Sequence, residues 1–277
     1  MSGPVRRVAI VGDDATLPDV VGGLDALRDV AEAAGGRTTG PSTVGETEAT
    51  GPVETTDPTD PTDVADAADA VVAVGERAVV DAILSATATD GDDPTPILPV
   101  GSGRYAVAGT AAPDAIRRLL ADEVRTAEHP IVSVAVDGER LGRAALDVAL
   151  VTDEPARISE YGVGFPSGRE TSVRADGIVV ATPLGSDGYA AAAGGSVLEP
   201  GTGLSVVPVS PFTTGAETWV VPEAVTLSVE RDEELVSFVV DGERVGRVPA
   251  NEPIRVEVCG RVPLLSVPTD PASRDGR

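Results

Sequence analysis

The residues best suited to chemistry lie between Asp176 and Gly195. There the chain reads Asp-Gly-Ile-Val-Val-Ala-Thr-Pro-Leu-Gly-Ser-Asp-Gly-Tyr and runs through an alanine stretch to Gly194-Gly195. An apolar run from Ile178 to Ala181 feeds a turn built from Thr182, Pro183, Gly185 and Ser186. Glycines at a strand exit let backbone N–H groups approach a ligand closely, and hydroxyls beside them add adaptable hydrogen bonds. Such a segment suits a phosphorylated or nucleotide-like ligand.

Other chemistries have little support. The one histidine, His129, precedes Pro130 and has no nucleophile near it in sequence, so a catalytic dyad is not indicated. The one cysteine, Cys259, excludes an intrachain disulfide and any multi-cysteine zinc site. Its place in the alternating run from Arg255 to Gly260 reads as an ordinary buried strand position. The chain contains no lysine, so a lysine-bearing phosphate loop of the Walker type is impossible. Gly101-Ser-Gly103-Arg-Tyr-Ala106 spells a glycine-rich dinucleotide fingerprint, but that motif must open a helix. Here helical spacing starts only near Pro113.

The elements that must position these residues change character along the chain. Val5 to Val11 reads as a strand, followed by helical spacing through Leu24, Leu27, Ala31 and Ala34. Residues 38–67 are rich in Thr, Gly, Pro, Asp and Glu and read as an exposed acidic loop or a disordered insert. Ala70 to Val74 (strand), Ala78 to Ala86 (helix), Pro96 to Val100 (strand) and Pro113 to Val124 (helix) then resume the alternation, which predicts a parallel α/β sheet. Beyond Pro130 the pattern turns to eight short strands, with turn signals at Asp137-Gly138 and Asp241-Gly242. The expected organisation is an α/β domain over residues 1–126, a β-rich, sandwich-like domain over 127–265, and a polar tail over 266–277.

Charge bounds the partners. With 45 acidic and 21 basic residues the chain carries a net charge of −24. Nucleic acid and anionic membrane surfaces are disfavoured, because both need clustered cations. No run approaches a membrane span, and the N-terminus shows no signal-peptide pattern, so a cytoplasmic protein is expected. An acidic, lysine-free composition looks like that of proteins from salt-loving microbes. At about 1 M salt the Debye length is only about 3 Å, and self-repulsion of such a surface is largely screened.

An α/β half followed by a β half, with this ordered set of motifs, resembles the NAD kinase family. The set comprises Arg174-Ala-Asp-Gly, Thr182-Pro-Leu-Gly-Ser, Tyr189, Ala193-Gly-Gly, Pro200, Pro208-Val-Ser-Pro and Val221-Pro222, with Asp241-Gly242 fitting a late Asp-Gly hairpin. The resemblance spans roughly residues 5–265. It implies an NAD kinase-like two-domain architecture with a dinucleotide site between the domains, and a homodimer or homotetramer. It also implies NAD as ligand or substrate, with ATP and Mg²⁺ where the protein is active. Asp176, Thr182, Ser186 and Tyr189 fall where the family contacts the dinucleotide.

Departures from the family pattern fall mainly in the first half. Val74-Gly75-Glu76-Arg77 stands where the family has Gly-Gly-Asp-Gly. With Gly75 as the second glycine, Glu76 replaces the aspartate that acts as base on the adenosine ribose 2′-hydroxyl. Glutamate can do that chemistry, but it is one methylene longer. Val74 and Arg77 are expected to add bulk where a triphosphate needs room. Arg77 is read either as a phosphate ligand or as a surface ion-pair residue. The ribose-holding Asn-Glu pair becomes Asp147-Val148, where Asp147 can still accept a hydroxyl hydrogen bond. Pro99-Val-Gly-Ser-Gly103 keeps only the last glycine of Gly-Val-Asn-x-Gly, and Asp187-Gly188 replace Thr-Ala. Two readings follow: a kinase that phosphorylates NAD from ATP with Glu76 as base and Gly75 in the phosphate loop, or a catalytically impaired NAD(P)-binding sensor or regulatory paralogue.

Overall fold

A computed structural model of the chain describes residues 7–12, 23–39, 68–86, 93–101, 103–154, 158–213, 215–230 and 235–268. The acidic stretch falls outside the described residues from residue 40 onward, as does the tail from residue 269. The chain divides into two compact units, Met1–Ala127 with Val262–Arg277, and Glu128–Arg261.

The first unit is a parallel sheet built from β1 (Arg7–Gly12), β2 (Arg37–Thr39), β3 (Ala70–Val74) and β4 (Ile97–Val100), in the order β2-β1-β3-β4. Val8, Ile10, Val72, Val74, Leu98 and Val100 form one core with α1 (Gly23–Ala33) and α3 (Ala112–Leu120). The helix α2 (Glu76–Ala86) buries Val79, Val80, Ala82, Ile83 and Ala86. Both α1 and α2 present apolar residues at helical spacing, which is the signal that made them legible. Three bounds differ from expectation, the first being α3, which stops at Leu120 rather than Val124. Residues 37–39 form an edge strand paired with β1 rather than the start of a loop; three residues are too few for a period to show, although threonine suits a strand. Helix α2 also begins two residues early, at Glu76, directly after the strand-terminating turn.

The second unit is a sandwich of antiparallel sheets. One has the order β12-β11-β10-β7-β14-β15. It uses β7 (Asp147–Thr152), β10 (Gly177–Ala181), β11 (Leu204–Val209), β12 (Trp219–Val221), β14 (Val236–Val240) and β15 (Glu243–Arg247). Facing it are β8 (Ser159–Gly164), β9 (Glu170–Ala175), β13 (Ala224–Val229) and the first part of β16 (Ile254–Ser266), with β5 (Arg125–Val136) and β6 (Glu139–Ala144) beside β16. Val148, Leu150, Tyr161, Val163, Ile178, Val180, Leu227 and Phe238 pack between the sheets. The inward residues alternate with outward ones, as a sandwich requires.

That alternation corrects the reading of Cys259. Ile254 and Val256 point into the core, so Arg255, Glu257 and Cys259 share the outer side, and Cys259 is exposed. Strands β6, β9, β12 and β15 were not visible as periodic apolar runs. Their residues are mostly half-buried or exposed, and β15 is exposed throughout.

Candidate functional site

In the first unit, β1 ends in Gly12, and Gly75 and Gly101 directly follow β3 and β4 at the C-terminal edge of the parallel sheet. Gly12, Gly75 and Gly101 have φ of 147°, 88° and 141°. In open α/β sheets this edge is where ligands bind. Gly75 turns β3 directly into α2: its N–H donates to the Val100 carbonyl (2.8 Å), and its carbonyl accepts the Val79 N–H (3.0 Å) as the first helical bond. Its φ of 88° disfavours any side chain.

Glu76 is therefore the first residue of α2, exposed at the helix N-terminus. Its carboxylate complements the helix dipole there, which gives it a structural use as well as a chemical one. Val74 does not crowd this loop. It is 1 % exposed and its side chain belongs to the sheet core. Arg77 is exposed and turns back along the helix onto Asp81 (Nε to Oδ2 3.2 Å), the geometry of a surface ion pair. The Gly101-Gly103 segment does not open a helix. Val107 bridges to Val100, and α3 starts only at Ala112.

In the second unit, the outer face of the six-stranded sheet carries the site. Ala149, Val179, Ala181 and Val207 form a small-residue floor, packed by Ala190 of the short helix α4 (Tyr189–Ala192). Asp147 begins β7 and pairs with Ala181, the last residue of β10; Asp176 precedes the other end of β10. Tyr189 lies between their influences and is 41 % exposed. Its phenol pKa is raised, first by partial burial and then by the charges of Asp147 and Asp176. Both carboxylates thus act on the Tyr189 phenol, from opposite ends of β10. Carboxylates accept hydrogen bonds from sugar hydroxyls, and a phenol ring over an apolar floor suits a planar base.

Thr182 and Ser186 have inward-directed roles. Thr182, 1 % exposed, donates its hydroxyl to the carbonyls of Ala145 (2.8 Å) and Leu146 (2.9 Å) and accepts from the Gly185 N–H (3.3 Å). Ser186 is fully buried; its Oγ donates to the Pro183 carbonyl (2.7 Å) and accepts from the Leu198 N–H (2.8 Å). Both hydroxyls hold the turn rather than face outward. Asp187 is half-buried in the 3-10 turn Gly185–Asp187. Val148 alternates with Asp147 and points into the sandwich core.

Two supporting residues, Thr152 and Tyr161, escaped sequence reasoning, and a third, Asp241, was marked only as a turn. The Asp176 carbonyl accepts from the Thr152 N–H (2.9 Å), the Thr152 hydroxyl (2.9 Å) and the Tyr161 hydroxyl (3.4 Å). Tyr161 is wholly buried, and its phenol pKa is pushed well up, first by burial and then by Asp176 and Tyr189. Asp241 reaches from its hairpin to the main chain of residues 145–147. Only the Asp-Gly pair hinted at Asp241; nothing in the sequence marked Thr152 or Tyr161.

An α/β unit with a glycine-edged parallel sheet and an antiparallel β-sandwich unit give the chain a two-domain α/β-plus-β architecture. Comparison with known proteins sharpens the class. The ATP-NAD kinase C-terminal domain family matches residues 147–265. The NAD kinase of Pyrococcus furiosus is 31% identical over 194 residues, 67% of this chain and 68% of that protein. The NAD kinase of Methanosarcina acetivorans is 33% identical over 173 residues. The chain belongs to the NAD kinase family. It spans 62%, 62% and 59% of the length of three Methanosarcina NAD kinases that it matches. Two solved structures share the fold across 96% of the chain. Yeast NADH kinase, complexed with NADH, superposes with a TM-score of 0.68 at 14% identity, covering 84% of that chain. An Archaeoglobus fulgidus NAD kinase in complex with ATP gives 0.62 at 19% identity, covering 94% of that chain.

Proposed function

We propose that the protein binds NAD and transfers the γ-phosphate of ATP to the 2′-hydroxyl of its adenosine ribose, giving NADP. What supports this reading is a pair of carboxylates, Asp147 and Asp176, at the two ends of β10, both within electrostatic reach of Tyr189, in a chain of the NAD kinase family. The carboxylates accept ribose hydroxyls, and the Tyr189 ring lies against a base. Glu76 takes the 2′-hydroxyl proton as the ribose oxygen attacks the γ-phosphorus. The new O–P bond forms as the bond from the γ-phosphorus to the β,γ-bridging oxygen breaks, and ADP leaves.

The N–H groups of Gly75 and Gly101 are held by the Val100 and Val107 carbonyls, so a triphosphate would meet the bare glycine backbone of this edge and the N-terminus of α2 rather than those donors. Mg²⁺ accompanying the nucleotide would neutralise charge on the β- and γ-oxygens. By the logic of the family, the protein works as a small-molecule enzyme in the cytoplasm and as a homo-oligomer.

A second reading, an NAD(P)-binding paralogue without turnover, is favoured by Val148. The family carboxylate at that position is replaced by a side chain buried in the sandwich core. The two readings separate by assaying NADP formation from NAD with ATP or polyphosphate in multimolar KCl. Wild-type turnover that falls about 10²- to 10⁴-fold in Glu76→Ala supports the kinase, that being the usual worth of a positioned base. No wild-type turnover, with NAD still raising the melting temperature, supports the paralogue.

A further inference from the structure

Asp241 occupies the first position of the two-residue turn joining β14 to β15, with φ of 46°, followed by Gly242 at 79°. Positive φ at both positions is the tight hairpin geometry that Asp-Gly favours. The Asp137-Gly138 turn between β5 and β6 has the same geometry, at 46° and 82°. Turn formation therefore does not account for what the Asp241 side chain does.

Its carboxylate reaches across the sheet to the corner between β6 and β7. Oδ2 accepts the Ala145 N–H (2.9 Å), and Oδ1 accepts the N–H groups of Leu146 (2.7 Å) and Asp147 (3.1 Å). The Asp241 N–H donates to the Asp147 carbonyl (3.0 Å). From the other side, the Ala145 carbonyl accepts from His129 Nε2 (2.9 Å) and the Thr182 hydroxyl, and the Leu146 carbonyl accepts from the Thr182 N–H (2.8 Å) and hydroxyl. All six main-chain polar groups of residues 145–147 are thus held by long-range partners, four of them by Asp241. A corner so constrained leaves Asp147 one backbone position from which to present its carboxylate on the outer side of the sheet, opposite to Val148.

We infer that Asp241 is a positioning residue for the dinucleotide, acting through Asp147: it fixes the main chain from which Asp147 accepts a ribose hydroxyl. The inference rests on the proposed NAD-binding role of this face. It also assigns a chemical reason for a carboxylate at position 241. Three donors need two acceptor oxygens, and an amide offers only one, with an NH₂ set against the incoming N–H groups.

Asp241→Asn isolates the clamp, because Asn-Gly is at least as good a hairpin turn as Asp-Gly. The test is a calorimetric titration of the full chain with NAD and, separately, ATP, for wild type, Asp241→Asn, Asp147→Ala and the double variant. The expected result is a folded Asp241→Asn protein whose NAD affinity falls about tenfold while ATP affinity stays within about twofold. In the Asp147→Ala background the substitution should weaken NAD binding no further. Unchanged NAD affinity, or an equal loss with and without the Asp147 side chain, would overturn the inference. Should Asp241→Asn not fold, Asp241→Glu keeps the charge, and its loss of affinity must show the same dependence on Asp147. If wild type binds no NAD, the functional reading fails. Amide exchange at residues 145–147 then decides the clamp: acceleration of about tenfold in Asp241→Asn upholds it, and unchanged exchange overturns it.

Discussion

His129 sits 3 % exposed with Nε2 donating to the Ala145 carbonyl, and burial brings its pKa from the usual 6.5 down to about 4, the backbone hydrogen bond opposing. Between those values the unfolded chain holds a proton that the folded protein does not. Stability must therefore rise with pH from about 4 to 6.5, by up to about 3 kcal/mol, and the contribution is absent below pH 4 relative to neutral pH. Urea unfolding at pH 4.5 and pH 7, compared between wild type and His129→Gln, isolates the effect from the carboxylates that titrate nearby. The variant should show a visibly flatter dependence; an equal slope would place the histidine's proton elsewhere. At this scale the sequence was an uneven guide. Motif order singled out Asp176 and Tyr189, and Asp147 stood where the pattern departs from the family's Asn-Glu pair. The same motif named Thr182 and Ser186, but it reports which residues recur and not which way they face, and both hydroxyls bond within the turn. Asp241, Thr152 and Tyr161 act through contacts some 15 to 96 residues away in sequence, which no local pattern encodes.

Most of the residues proposed to meet the dinucleotide lie on or next to β10 and the turn after it. Gly177 to Ala181 is buried throughout, flanked by β7 and β11, and the chain then passes beneath the corner that Asp241 clamps. Gly185 lies where a Cβ would fall within the Leu146 carbonyl, so glycine is demanded by close approach rather than by a special φ. Gly185→Ala should cost about 1–3 kcal/mol, the usual penalty of forcing atoms into a packed interior, and should weaken NAD binding with it. Chemical denaturation alongside NAD titration checks this; an alanine variant as stable as wild type would mean that the turn yields freely. Glycine content here was readable, but its reason was not, since Leu146 is distant in sequence. The opposite case is Val74. Its bulk is visible in the sequence, yet alternation along β3 sends it into the core and leaves the start of α2 to Gly75 and Glu76.

For the molecule as a whole, the periodicities separated a parallel α/β unit from an antiparallel β unit, because helical and strand patterns differ along entire segments. They did not reveal that the last strand belongs partly to each unit: β16 runs from Ile254 in the second into Val262 onward, within the first. Chain return of that kind leaves no local trace. The net charge of −24 makes a further claim at this scale. Self-repulsion acts over a Debye length that shrinks from about 10 Å at about 0.1 M salt to about 3 Å at about 1 M. The melting temperature should therefore climb by several degrees across that KCl range, read by circular dichroism, and a flat profile would argue against charge adaptation.

The central claim is phosphate transfer to the 2′-oxygen of NAD with Glu76 as base. It is tested most directly by incubating the protein with NAD and ATP in multimolar KCl and identifying the product by phosphorus NMR. Wild type should yield a 2′-phosphorylated dinucleotide and Glu76→Ala almost none. Absence of that product from folded, NAD-binding wild type, or undiminished formation by the variant, would contradict it.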